Sequence, residues 1–243
     1  MFGEISNGSG DNLDYSFHAG VEGSQQIVVL GHGVTGNKDR PFVVALAEGL
    51  AAAGTHALRF SFAGNGESGG LFVDSTVSKE VGDLGVVLDV LDGYTVCYVG
   101  HSMGGAVGVL RASSDERIRL LVSLAGMVHT QTFVEREFGN VVPGMGCMWD
   151  EPDCPLSQTY VDDMAQIGTV VENGAEICVP WLLVHGSEDD VVPIEESRDI
   201  ITKAGDNAEF FAIDGADHVF SMDGTDPMVS EAASWIKSQF AAL

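Results

Sequence analysis

The sequence predicts an α/β protein with a mostly parallel central sheet flanked by helices, and three observations carry that expectation. From residue 27 to the end, short apolar runs alternate with helical patterns, the alternation that yields parallel strands joined by right-handed crossovers. One run, Tyr94–Val99, leads straight into Gly100-His101-Ser102-Met103-Gly104 and then into a small, aliphatic helix start, a strand–turn–helix that fits G-x-S-x-G. No apolar run approaches the 18 or more residues of a membrane span, so the runs read as core strands.

Taken in order, the chain opens with a hairpin pattern, Phe2–Ser6 and Leu13–His18 about a turn at Asn7-Gly8-Ser9-Gly10-Asp11-Asn12. Ile27–Leu30 is a fully apolar strand ending in Gly31-His32-Gly33-Val34-Thr35-Gly36. Pro41 suits the first turn of a helix whose Phe42, Val43, Leu46 and Leu50 share a face. Thr55–Phe62 is the next strand, Val77–Leu91 the next helix, and Arg119–Ala125 the strand after the serine motif. Val179–His185, a helix at Glu195–Lys203, a strand at Glu209–Ile213 and a helix at Asp226–Phe240 complete the pattern. No repeat or low-complexity segment interrupts it, so one domain over residues 1–243 is expected. Residues 130–176 exceed what a crossover needs, and are expected to form a small inserted lid between two core strands. Within it, Ser157–Val171 looks helical, with Ser157 as N-cap.

Composition narrows the partners. Hydrophobic residues make up 45% and charged residues 19%, enough for a sizeable core. Lys and Arg number 11 against 36 Asp and Glu, a net charge of −25, which disfavours nucleic acid and anionic membranes because both require basic patches. The acids are scattered, consistent either with a soluble acidic surface or with adaptation to a salty medium, where screening offsets self-repulsion. Cys97, Cys147, Cys154 and Cys178 do not form a disulfide framework and are expected as free thiols, although Cys147 and Cys154 flank one loop. No Cys/His cluster has zinc-site spacing. The first six residues lack the basic and apolar regions of a signal peptide, so a cytoplasmic location is expected. Nothing in the sequence specifies an oligomeric state.

A serine pinched between strand and helix adopts a strained backbone that projects its oxygen from the sheet top, beside the positive N-terminus of a helix. Such a hydroxyl needs a base to take its proton and an acid to fix that base's tautomer. Among seven histidines, His218 stands alone in the loop after the last strand, Asp214-Gly215-Ala216-Asp217-His218-Val219-Phe220, where it can curl over the C-terminal sheet edge. His32 and His185 each precede a glycine and read as structural. His18, His56 and His129 have no acid partner suggested by sequence. For the acid, Gly186-Ser187-Glu188-Asp189-Asp190-Val191-Val192-Pro193 offers three adjacent carboxylates.

These stretches carry a resemblance. H-G-V-T-G-N-K (32–38), R-P-F-V-V-A-L-A-E-G-L (40–50), L-R-F-S-F-A-G-N-G-E-S-G-G (58–70), G-H-S-M-G-G (100–105), H-G-S-E-D-D-V-V-P (185–193) and G-A-D-H-V-F (215–220) make the chain resemble an α/β-hydrolase. It is similar to the small serine esterases that include cinnamoyl (feruloyl) esterases and the lipase- and aminopeptidase-like hydrolases. The resemblance implies Ser102 as nucleophile, Asp189 rather than Asp190 as acid through H-G-x-x-D-x-x-V-P, and His218 as base. It implies an oxyanion hole made by the backbone N–H groups of Val34 and Met103. Ser61 stands where similar proteins often carry Asp, at a usually structural position, and Val34 where cinnamoyl esterases often have Phe.

The expected function is therefore a serine carboxylesterase acting on a small-molecule ester of small to medium size, with neither a metal nor an organic cofactor implied. Amide, thioester or C–C cleavage, and a non-catalytic binding role, remain the alternatives. Phe133, Phe138, Met148 and Trp149 of the inserted segment are expected to line an apolar substrate pocket, with Met145 beside them.

Overall fold

The structure is a computed structural model and describes residues 2–243. Its strands are β1 (Tyr15–His18), β2 (Gln26–Gly31), β3 (His56–Phe60), β4 (Thr95–His101), β5 (Ile118–Leu124), β6 (Trp181–Gly186) and β7 (Ala208–Ile213). They form one sheet in the order β1-β3-β2-β4-β5-β6-β7, with β1 antiparallel to β3 and every other pairing parallel. The apolar runs of β2, β4, β5 and β6 are buried almost throughout, as parallel strands covered on both faces must be.

The two-residue period of the strands sorts their side chains into two cores. On one face Val29, Leu58, Tyr98, Leu121 and Leu183 pack with α2 (Val77–Asp89), α3 (Met103–Ala112) and α6 (Glu195–Ala204). On the other, Val28, Leu30, Cys97, Val122 and Val184 pack beneath α1 (Pro41–Ala52) and α7 (Thr225–Ala242). Pro41 opens α1 as expected, and Thr76 caps α2 by accepting from the Lys79 N–H at 3.1 Å.

The expected N-terminal hairpin forms only next to its turn, where the Asn7 N–H donates to Asp11 O at 2.9 Å and the Leu13 N–H to Ile5 O at 2.7 Å. Ser6 and Asn12 make a single antiparallel bridge, and β1 pairs with β3 instead. The Asn7 side chain accepts from the Ser9 and Asp11 N–H groups and donates to Asp83 at 2.8 Å, so side-chain bonds fix the turn beside this short backbone pairing.

Between β5 and β6 lie α4 (Thr130–Phe138) and α5 (Gln158–Ile167). Ser157 accepts from the Tyr160 N–H at 3.1 Å, and α5 stops at Gly168, whose φ of 67° only glycine adopts freely. Thr130 Oγ1 donates to the Met164 carbonyl at 2.8 Å and joins α4 to α5. Phe133, Phe138, Met148, Tyr160 and Met164 merge with the core on the α3 face, which seats this segment beside the C-terminal end of β4. All four cysteines are free thiols. Among the described residues no helix is long and apolar enough to cross a membrane.

Candidate active site

Ser102 occupies the single residue between the end of β4 and the start of α3, with φ 53° and ψ −118°, a left-handed conformation that costs a non-glycine residue of order 1–3 kcal/mol. The surroundings enforce it. The Ser102 N–H donates to Leu124 O at 3.0 Å, and its carbonyl accepts from Gly105 and Met127 at 2.8 and 2.9 Å. A side chain at Gly100 would run into the Gly104 carbonyl, and one at Gly104 would lie 2.7 Å from His32 O, so the turn closes only with glycines there.

His218 and Asp189 come from separate loops, after β7 and β6. His218 Nδ1 lies 2.8 Å from Asp189 Oδ2, so Nδ1 carries the proton and Nε2 is left as the free, basic nitrogen of the neutral ring. The Asp189 carboxylate is fully buried. Its Oδ1 accepts from the Val191 and Val192 N–H groups at 2.9 and 2.8 Å. Burial alone would raise its pKa, but hydrogen bonds from His185 and His218 outweigh that and hold the carboxyl well below the usual carboxylate range. Neighbouring Asp190 is exposed.

Two further histidines act as struts. His32 Nε2 accepts from the Phe62 N–H at 3.1 Å, so its Nδ1–H donates to Gly33 O at 2.8 Å and pins the turn carrying Val34. His101 Nε2 lies 2.9 Å from His218 O, while its ring packs between Phe42 and His218. Burial lowers the pKa of His32 to about 4 and that of His101 to about 3, the nearby His218 adding to the second shift. Both rings are neutral at physiological pH, so no extra cation crowds His218. Neither Val34 nor Met103 donates its backbone N–H to another residue among those described, and Met103 opens α3, where the helix dipole is positive.

Ser102 and His218 line one cleft of about 310 Å³, with Val34, Arg40, Phe42 and Trp149 among its walls. The expected pocket residues separate here. Trp149 borders this cleft, and Met148 borders a narrow cavity adjoining it. Phe133 and Phe138 line neither. They are buried, their rings 5.8 Å apart in an edge-on pair and each edge-on to Trp149, because the α4 face that carries them turns toward the core. Met145 is exposed. Sequence reasoning treated His185 as structural only and overlooked Arg40 and Phe42. The i, i+4 spacing of His185 and Asp189 in H-G-S-E-D was the available signal for the first. Among the described residues no three His, Cys, Asp or Glu side chains gather as a metal-binding group.

Residues 80–242, which include Ser102, Asp189 and His218, match the prolyl oligopeptidase family. Among solved structures, the chain is similar to Est1E from Butyrivibrio proteoclasticus with ferulic acid bound, at 23% identity and a TM-score of 0.85, covering 98% of this chain and 99% of that one. It is similar to the mouse α/β-hydrolase domain-containing protein 10, at 18% identity and 0.79, covering 97% and 98%. A third likeness is the Pyrococcus furiosus esterase Pf2001, at 21% identity and 0.76, covering 97% and 91%.

Proposed function

Because the chain belongs to the prolyl oligopeptidase family and is a serine hydrolase of the α/β-hydrolase fold, we propose that it is a carboxylesterase, cleaving small to medium carboxylic esters through an acyl-serine intermediate. The observation that carries this reading is the common cleft: Ser102 and His218 face it together, and His218 is bound at 2.8 Å to the buried Asp189. The likeness to an esterase and to a protein holding ferulic acid points the same way at the level of fold.

In this reading His218 Nε2 takes the Ser102 proton as the oxygen attacks the ester carbonyl. Asp189 holds the ring in the required tautomer and stabilises the imidazolium that forms. The Val34 and Met103 N–H groups, unused elsewhere among the described residues, donate to the tetrahedral oxyanion in a largely apolar cleft. His218 then gives its proton to the leaving alkoxide, and the alcohol departs. Water, deprotonated by His218 in turn, releases the acid and restores Ser102. The segment over residues 130–176 serves as a lid, with Trp149 as its contact with substrate.

Family membership favours a second reading, cleavage of a peptide-type amide by the same three residues. A panel of p-nitrophenyl and hydroxycinnamate esters run beside aminoacyl p-nitroanilides separates the two. Ester turnover with kcat/KM far above that of the anilides supports the esterase reading. Anilide turnover equal to or above it refutes that reading.

A further inference from the structure

Cations are scarce in this chain, 11 Lys and Arg against 36 Asp and Glu, and most of them are paired. Among the described residues eight of the eleven have a carboxylate within 4.0 Å, as Lys79 has in Asp11 and Arg111 in Asp115. Arg40 has none among them, and it stands in the wall of the catalytic cleft. Among the described residues no Asp or Glu borders that cleft, and its His32 and His101 rings are neutral. Arg40 is therefore the one permanently charged side chain there.

Its position follows from the sequence. Pro41 begins α1 and biases the residue before it away from the helical region, and Arg40 accordingly sits at φ −57° and ψ 135°. The Arg40 side chain reaches back to the preceding turn, where Nη2 donates to the Thr35 carbonyl at 3.0 Å. That turn, closed by the Gly36 N–H on Gly33 O at 3.0 Å, carries the Val34 N–H assigned to the oxyanion. The guanidinium is thus fastened to the residues that would hold the reacting carbonyl. It has five N–H donors, and apart from the bond to Thr35 they meet no partner among the described residues. Glu151 and Asp153 of the inserted segment act on Cys154 through space, as Arg40 does, yet neither carboxylate comes within 4.0 Å of Arg40.

We propose that Arg40 is a specificity residue, receiving a carboxylate carried at the end of one arm of the ester. The planar guanidinium fork matches a carboxylate through two parallel N–H···O bonds. The cleft, at about 310 Å³, holds an arm of several carbons, and Val34, Phe42, Val191 and Val219 offer apolar wall to its methylenes. A protein of charge −25 repels anions over most of its surface, and Arg40 reverses that sign at the one place where the chemistry occurs. An ammonium end meets a like charge, and a neutral end forgoes the charge-assisted bonds. The inference deepens the esterase reading and rests on it for the substrate class.

The test compares carboxylate and carboxamide isosteres in each arm: monomethyl glutarate against methyl 4-carbamoylbutanoate, and 4-acetoxybutanoate against 4-acetoxybutanamide. Each is assayed by pH-stat near neutral pH with the wild type, Arg40→Lys and Arg40→Gln, and Tm confirms that the variants are folded. Physiological salt, with a Debye length of about 8 Å, mutes the remote acids. The expected result is a kcat/KM for the carboxylate about tenfold or more above that for the carboxamide in one arm. Lys, which keeps the charge but not the fork, should retain part of that ratio, and Gln should lower it about 10- to 100-fold. A wild type that turns over the carboxamide as fast or faster in both arms overturns the proposal. A ratio left unchanged by Arg40→Gln overturns it too, and makes Arg40 an anchor of the Val34 turn whose loss slows both isosteres alike. If the wild type hydrolyses none of the esters, the esterase reading fails by itself. Arg40 is then judged on inactivation rates with p-nitrophenyl phosphonates ending in carboxylate or carboxamide, where the same ratios support or overturn its role.

Discussion

His185 Nε2 lies 3.2 Å from Asp189 Oδ2, the same oxygen that His218 Nδ1 approaches to 2.8 Å, so one carboxylate oxygen lies within hydrogen-bonding reach of two imidazoles. Nε2 of His185 faces Val192 O at 2.9 Å as well as Asp189, two acceptors, and must therefore carry the proton. Its Nδ1 lies 2.8 Å from the Ser197 hydroxyl. The fully buried ring thus holds the acid in place from within the protein while His218 meets it from the cleft side. The arrangement keeps Asp189 ionised where bulk water does not reach it.

Asp189→Asn is expected to lower kcat/KM on the order of 10⁴-fold, because the amide presents a donor to His218 Nδ1 and inverts its tautomer. Exposed Asp190→Asn should leave activity within about twofold, and His185→Gln should fall between, by about 10- to 100-fold, the worth of a hydrogen bond to a charged group. Steady-state kinetics on one activated ester ranks the three. A larger loss in Asp190→Asn than in Asp189→Asn would place the acid one residue further on.

Stability should fall as pH drops below about 6.5, and His101 should account for part of the loss. His32 and His101 titrate near 4 and 3 in the folded chain but near 6.5 when unfolded. Between those limits the unfolded state binds more protons at these two rings, so their contribution to unfolding free energy rises with pH through this window and is flat above it. Glu80, whose pKa is raised, acts in the opposite sense. Urea unfolding of the wild type and His101→Gln from pH 8 to 5 cancels the Glu80 contribution. The gap between the proteins should narrow as pH falls, and a pH-independent gap would contradict the assignment.

With a net charge of −25, the fold should gain stability from salt. Repulsion extends over a Debye length of about 30 Å at 0.01 M but about 3 Å at 1 M. Tm measured at these two NaCl concentrations should rise, and a flat or falling Tm would leave acidity as a matter of solubility alone.

In the inserted segment, Phe133→Ala and Phe138→Ala should each cost about 3–5 kcal/mol of stability and lower activity evenly across acyl chains. Trp149→Ala should instead change the ratio of kcat/KM between acetyl and dodecanoyl esters, because its ring borders the cleft. Denaturant melts and a chain-length series distinguish the two behaviours.

How far the sequence could be read depended on the range of each determinant. The Ser102 turn was legible because a strand, two glycines and a helix start are local signals, and the alternation of apolar runs sufficed for a parallel sheet. Asp189 was harder, since Glu188, Asp189 and Asp190 are chemically alike and only a motif register separates them before the loop is folded. Phe2–Ser6 has strand composition, yet the Asn7 contact to Asp83 joins residues 76 apart, which no local pattern contains. Phe133 and Phe138 looked like pocket residues because composition does not reveal which face of α4 turns inward. Glu80 was invisible for a related reason: an acid in a first helical turn ordinarily sits at the surface, and only tertiary packing buries it.

Covalent labelling with a fluorophosphonate, read by peptide mass spectrometry, tests the central claim most directly. The account predicts one adduct, on Ser102, formed rapidly in the wild type, slowed severely in His218→Ala and absent in Ser102→Ala, which should also lose ester hydrolysis while keeping the wild-type Tm within a few degrees. An unlabelled Ser102 in folded protein, or undiminished hydrolysis by Ser102→Ala, would contradict it.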